Sequence, residues 1–344
     1  MNMLKKAVVA TAAIAAVITV SSARDQIKVV GSSTVYPFSS YVAEELGATT
    51  SFPTPVVEST GSGGGFKLFC AGAGMDTPDI TNASRPMKEK EWKLCQENGV
   101  KDIVGAMIGY DGIAFAQSKE NGDLALSRDQ IMLAVAAKVP VNGQLVDNPY
   151  KKWSDIDASL PNREIVIYGP PTSSGTRDAF EELVMEHAST KSIEGYGKKK
   201  FTEIRQDGVY VPSGENDNLI VQKLEKNKNA IGIFGYSFLA ENADKVAAAK
   251  IDGKLPTPAT IADASYPVSR SLFFYVKKSH MNEVKAIKAY IDMFMSDAMI
   301  SEKGVLKTIG LIPMASDLRK QVQTSVTSLT PLTLDMVKAK KVIK

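Results

Sequence analysis

Histidine is almost missing, with His187 and His280 the only two in 344 residues. That all but excludes a histidine-based metal centre or a Ser-His-Asp arrangement. Cysteine is equally scarce: Cys70 and Cys95 are the whole supply, and their separation fits no zinc pattern. Charge of one sign is not in excess, since 41 Lys plus Arg against 38 Asp plus Glu leave a net +3. Only the tail, 338–344, concentrates it, so nothing resembles a nucleic-acid footprint. Beyond the first residues no run approaches the roughly 20 apolar residues of a membrane-spanning helix. What remains is a globular chain, 44% hydrophobic and 23% charged, long enough for about two domains.

The first 23 residues have the pattern of an export signal. Lys5 and Lys6 precede an apolar stretch from Ala7 to Val20, and Ser21, Ser22 and Ala23 supply small residues for cleavage after Ala23. No cysteine follows, so a lipid-anchor box is not expected. The expected location is periplasmic. In that oxidising setting the pair Cys70 and Cys95 invites a disulfide, with two buried thiols as the alternative.

Three strand–loop–helix units carry hydroxyls and glycines where the helix begins. Ile165 to Tyr168 reads as a strand, Gly169-Pro170-Pro171 ends it, and Thr172 to Thr176 leads into an amphipathic run that starts with Arg177. Ile27 to Val30 runs into Gly31-Ser32-Ser33-Thr34 and a helix expected to carry Pro37 in its first turn and to stop at Gly47. Pro55 to Glu58 leads into Ser59-Thr60-Gly61-Ser62-Gly63-Gly64-Gly65, read as a loop before a helix from Phe66 to about Ala71. Helix N-termini present unpaired N–H groups and a partial positive charge, so such mouths suit an oxyanion. Plain capping, by Ser33 or Thr34 at one mouth and by a Ser or Thr of 172–176 at the other, is the alternative. The glycine run is no nucleotide motif, because Phe66 stands where a P-loop or a G-x-G-x-x-G needs its last glycine. A third strand, Asp79 to Ala83, ends in Ser84-Arg85-Pro86 before a polar helix from Lys88 to Asn98. Arg85 would offer a planar fork to an anion, or a salt bridge to the surface.

Ile103 to Phe115 reads as an extended crossing out of one domain, and Tyr266 to Lys278 as the return. Between them lies a block with its own elements: a capping box at Ser127-x-x-Gln130, Trp153 to Ile156, Ile231 to Phe234, and a polar loop feeding a helix from Ile220 to Asn227, with Asn216 or Asp217 as its cap or as a ligand. Two crossings predict a discontinuous first lobe, 24–110 plus 270–344, and a second lobe, 111–269. From Asn282 to Ile300 the spacing predicts a helix.

GSSTVYPF at Gly31, ESTGSGGGF at Glu58, NASRPM at Asn82, GPPTSSGTRDAF at Gly169 and GENDN at Gly214 together resemble the periplasmic phosphate-binding protein of the phosphate-specific (Pst) ABC transporter. The resemblance implies an α/β fold of the type II periplasmic binding-protein class, two lobes joined by two hinge strands and closing on one phosphate. It implies phosphate capture for a membrane-embedded ABC permease rather than catalysis, with no cofactor and no metal. Binding of another oxyanion (sulfate, molybdate, phosphonate) is the alternative, and a secreted phosphatase a more distant one. A monomer without a nucleic-acid partner is expected. Carried over residue by residue, the ligand shell comprises Thr34, the Val35 N–H, Ser62, Ser174, Gly175 and Thr176, joined by Arg85 and, further out, Ser33, Arg177 and Asp217. Two positions depart from the family: Arg85 stands where many members have an aspartate, and Pro170 where they have an arginine. The acceptor for the phosphate proton is therefore sought elsewhere, at Asp217 first, then Asp111 or Asp178.

Overall fold

The computed structural model describes residues 25–172, 174–213 and 217–343, with the side chains of 217 and 218 outside the description. The expected export signal, Ser173 and Asn216 lie outside the described residues.

The long strand β4 (Ile103–Ser118) organises the fold. Its sequence is an almost continuous apolar run, which suits a strand covered on both faces, and 15 of its 16 residues are buried. On one side stand β1 (Lys28–Gly31), β2 (Val56–Ser59) and β3 (Ile80–Ala83). The short strands β5 (Ala125–Leu126), β6 (Lys138–Val141) and β7 (Gln144–Asp147) follow. Then come β8 (Ile167–Gly169), β9 (Tyr210–Pro212), β10 (Ile231–Gly235), β11 (Val246–Ala248), β12 (Lys250–Ile251) and β13 (Ser269–Lys277). Among the described residues, the main sheet has nine strands in the order β2-β1-β3-β13-β4-β10-β8-β9, with β11 on β4.

β1 pairs parallel with β2 and β3, and β8 pairs parallel with β9 and β10. The N-terminal half of β4 pairs antiparallel with β13, from Ile103 opposite Lys277 to Gly112 opposite Ser269. Its C-terminal half pairs with β10, beginning at Ile113 opposite Gly235. The chain thus has two lobes of α/β build joined through a strand pair, and the crossings expected from 103–115 and 266–278 are these strands. The first runs three residues longer than the apolar pattern marked.

Helix α1 (Tyr36–Thr49) follows β1, α2 (Gly61–Phe69) follows β2, and α3 (Glu89–Glu97) follows β3. Then come α4 (Arg128–Val135), α5 (Trp153–Ile156), α6 (Gly175–Phe180), α7 (Asp217–Lys226) and α8 (Tyr236–Glu241). The capping box before α4 forms as its spacing predicts: Ser127 Oγ accepts from the Gln130 N–H at 3.1 Å, and Gln130 Oε1 accepts from the Ser127 N–H at 2.9 Å.

Three local expectations give way. α1 passes Gly47 and ends at Thr49, with the Thr49 and Thr50 hydroxyls donating to the carbonyls of Glu45 and Leu46 at 2.7 Å each. Gly47 serves packing instead: a Cβ there would lie 2.0 Å from Thr54 Oγ1. The glycine run 61–65 is not a loop but the first turns of α2; within it Gly65 passes tightly by Gly31, where an added Cβ would come within 2.5 Å of its Cα, while Gly61 and Gly63 face open space. The stretch 282–300 breaks into Ala286–Phe294 and Asp297–Ile300.

Cys70 and Cys95 are joined, linking the end of α2 to α3 across 25 residues. Both sulfur-bearing residues are fully buried.

Candidate functional site

The carboxyl ends of β1, β2 and β8, together with β4 and the β10–α8 connection, converge on one cavity of about 500 Å3. Carboxyl ends of parallel strands are where open α/β sheets hold ligands. From one side the cavity is lined by Ser33, Thr34, Tyr36, Pro37 and Ser59, and from the other by Ser174, Gly175 and Thr176. Asp111 of β4 and Ser237 of α8 complete its polar lining.

The two banks touch. Thr34 Oγ1 donates to the Gly175 carbonyl at 3.2 Å, and the Ser33 hydroxyl donates to the Asp178 carboxylate. A Cβ on Gly175 would sit 2.8 Å from the Thr34 nitrogen and 2.9 Å from the Ser33 oxygen, both backbone atoms. Only glycine lets these banks come so close. α1 and α2 begin without a side-chain cap, so plain capping does not explain Ser33 and Thr34. The Val35 N–H makes a long bond of 3.4 Å to Ser32 Oγ. Ser174 does cap its own helix, accepting from the Thr176 N–H at 3.2 Å, while its hydroxyl can still donate.

Ser62 and Arg85 form a separate corner. Ser62 Oγ lies 3.1 Å from Ser84 Oγ and accepts from the Ser84 N–H at 3.1 Å. It is not part of the cavity lining. Arg85 makes a bidentate pair with Glu91, at 2.9 and 2.7 Å, with its guanidinium 5.4 Å from the centre of the Phe66 ring. Glu91 also accepts from the Lys88 N–H at 2.9 Å. The expectation that Arg85 offers its fork to an anion therefore meets a carboxylate that already fills it. Arg177 is turned away likewise. It donates to Glu181 at 2.7 Å and stacks on Tyr210, whose hydroxyl burial pushes up to about 12 and which donates to the Pro170 carbonyl at 2.8 Å.

Sequence reasoning did not single out Arg270. Its guanidinium, on β13, donates to Thr34 Oγ1 and lies 3.4 Å from Asp111 and 3.2 Å from Glu182. Of the three carboxylates considered for the phosphate proton, Asp111 lines the cavity, Asp178 holds Ser33, and Asp217 opens α7 with its side chain outside the described residues. A signal for Arg270 did exist: two apolar crossings each carry a charge near their lobe-switching point, Asp111 on one and Arg270 on the other, and the register sets them opposite. Among the described residues no cluster of His, Cys, Asp and Glu is arranged to hold a metal ion. Nor is any described helix long and apolar enough to cross a membrane.

Residues 16–298 match the PBP superfamily domain. Among curated proteins, the chain is similar to the phosphate-binding protein PstS of Staphylococcus haemolyticus, 33% identical over 273 residues, spanning 78% of this chain and 75% of that one. It is also similar to the protein SphX of Synechococcus elongatus, 29% identical over 290 residues, 83% of this chain and 76% of that one. Among solved structures, a possible phosphate-binding protein from Planctomyces limnophilus matches with a TM-score of 0.72 at 31% identity, over 89% of this chain and 98% of that one.

Proposed function

The chain belongs to the PBP superfamily and, within it, to the family of the PstS phosphate-binding proteins, and from that premise we propose that it captures inorganic phosphate outside the cytoplasm and delivers it to a membrane-embedded ABC permease. The observation that carries this reading is the meeting of two hydroxyl-bearing helix mouths, Ser33–Thr34 and Ser174–Thr176, over one cavity. Helix-mouth amides and hydroxyls replace the anion's water shell without bringing in several counter-charges. The ligand shell we propose is Thr34, the Val35 N–H, Ser174, Gly175 and Thr176, with Ser33 at its edge and Ser62, which faces Ser84, outside it. The lobes are taken as 24–110 with 270–344, and 111–269. Cleavage after Ala23 releases the mature, monomeric chain.

A site made only of donors would accept fully ionised sulfate as readily as a protonated phosphate. Asp111 is the acceptor we assign, since it lines the cavity. Calorimetric titration of the mature protein with phosphate, arsenate and sulfate tests the reading: tight phosphate and weak sulfate binding support it, and equal binding of the two removes Asp111 from its role. The function is capture rather than turnover, so a chromogenic phosphate ester is expected to survive incubation with the purified protein.

A further inference from the structure

Arg270 occupies an unusual place. It is a charged residue near the start of a strand that is fully buried from Leu272 to Val276, and its own side chain is only 7% exposed. In register it faces Asp111, at the step where β4 exchanges β13 for β10 as its partner. From that point its guanidinium reaches both banks of the cleft: Nη2 donates to Thr34 Oγ1 and lies 3.5 Å from the Gly175 carbonyl, while Nη1 lies 3.2 Å from Glu182 beyond α6.

We propose that Arg270 is a positioning residue that sets how long a captured anion stays. Asp111, opposite it in the sheet, holds the planar fork with a charge-assisted contact, so its donor is oriented before the banks meet, and Glu182 adds a second such contact from the far bank. Thr34 then accepts from Arg270 and donates to Gly175, one hydroxyl using both of its capacities to tie the first bank to the second. Opening the cleft breaks the Thr34–Gly175 bond and draws Arg270 away from Gly175 and Glu182, while the Arg270–Thr34 bond stays within the first lobe. An anion enters an already open cleft, so the tie acts on escape and not on entry. Buried charge-assisted bonds of this kind act mainly on dissociation.

This inference rests on the phosphate reading, and its test separates the two. Labelled phosphate is bound to the wild-type protein and to Arg270→Gln, Arg270→Lys and Glu182→Gln, then chased with excess unlabelled phosphate, with affinity and thermal unfolding measured alongside. Arg270→Gln is expected to release phosphate at least tenfold faster with an association rate within threefold of wild type. Arg270→Lys, which keeps a donor within reach of Thr34, should recover most of the residence time. A folded Arg270→Gln protein whose release rate stays within twofold of wild type overturns the proposal, as does a loss confined to association. If Arg270→Gln does not fold, Glu182→Gln decides: faster release supports the tie, and unchanged release rejects it. If the wild-type protein holds sulfate or another oxyanion instead of phosphate, the functional reading fails, and the same chase with that anion still judges Arg270.

Discussion

At the Ser62 corner the hydrogen bonds join residues close in the chain, 22 apart for Ser62 with Ser84 and 6 apart for Arg85 with Glu91. At the Thr34 junction they join residues 141 apart for Thr34 with Gly175 and 236 apart for Thr34 with Arg270. Both regions are built from small hydroxyl residues, glycines and an arginine, yet they do different jobs. The corner is stapled: the disulfide ties α2 to α3, and the Arg85–Glu91 pair secures the turn between β3 and α3. What closes the junction, the Thr34–Gly175 and Ser33–Asp178 bonds, runs between the two lobes and can open. A rigid platform on one side and a breakable tie on the other are what a clamp needs, since a ligand shifts an equilibrium only through contacts that differ between its states.

The comparison is broken most strongly at Gly175. Gly175→Ala places a methyl group against the backbone of Ser33 and Thr34. Overpacking of this sort costs about 1–3 kcal/mol, so phosphate affinity should fall on the order of ten- to a hundredfold, while the unfolding temperature of the open protein changes little. Calorimetry and thermal unfolding on one sample check both halves.

The corner should show the reverse. Replacing both Cys70 and Cys95 by serine removes a cross-link that closes 25 residues, worth roughly 3 kcal/mol of stability by loop entropy. Denaturant unfolding should register that loss, with phosphate affinity within about threefold of wild type once the protein is folded. Arg85→Gln leaves the mostly buried Glu91 carboxylate without its fork, which should cost about 1–3 kcal/mol. A collapse of phosphate affinity in a stable Arg85→Gln protein would move Arg85 back into the ligand shell.

Asp207 provides the smallest effect and a control away from the ligand-facing loops. Its carboxyl is held well below the usual range, first by the hydrogen bond from Arg205 and further by Lys151. A group whose folded value is depressed stabilises the fold above its unfolded value, near 4 for an aspartate, and loses that contribution as pH falls toward the folded value. Asp207→Asn should therefore lower the unfolding temperature at neutral pH by a few degrees, and the gap to wild type should shrink on acidification below about pH 4, with phosphate binding unaltered.

Much of this was legible in the chain. The strand–loop–helix units, the capping box at Ser127 and the two apolar crossings follow from periodicity and local turn chemistry, which neighbouring residues determine. The places of Ser33, Thr34, Ser174 and Gly175 around one cavity were suggested by the repetition of hydroxyl-rich helix mouths. The partners of the arginines were only partly legible: Arg177 and Glu181 stand at helical spacing, and the others depend on geometry beyond one turn. Arg85 reaches Glu91 across the turn into α3, and Arg177 also lies over Tyr210 of β9. The helical state of 61–65 also escaped, since glycine disfavours helix interiors; of these glycines Gly65 alone makes the close pass of Gly31.

Hydrogen exchange with and without phosphate tests the central claim most directly. If one anion is gripped by both banks, the amides of 33–36 and of 174–177 gain protection together on addition of phosphate, while α3 and the disulfide region stay as they were. Protection gained on only one bank, or at a surface away from both, would contradict it.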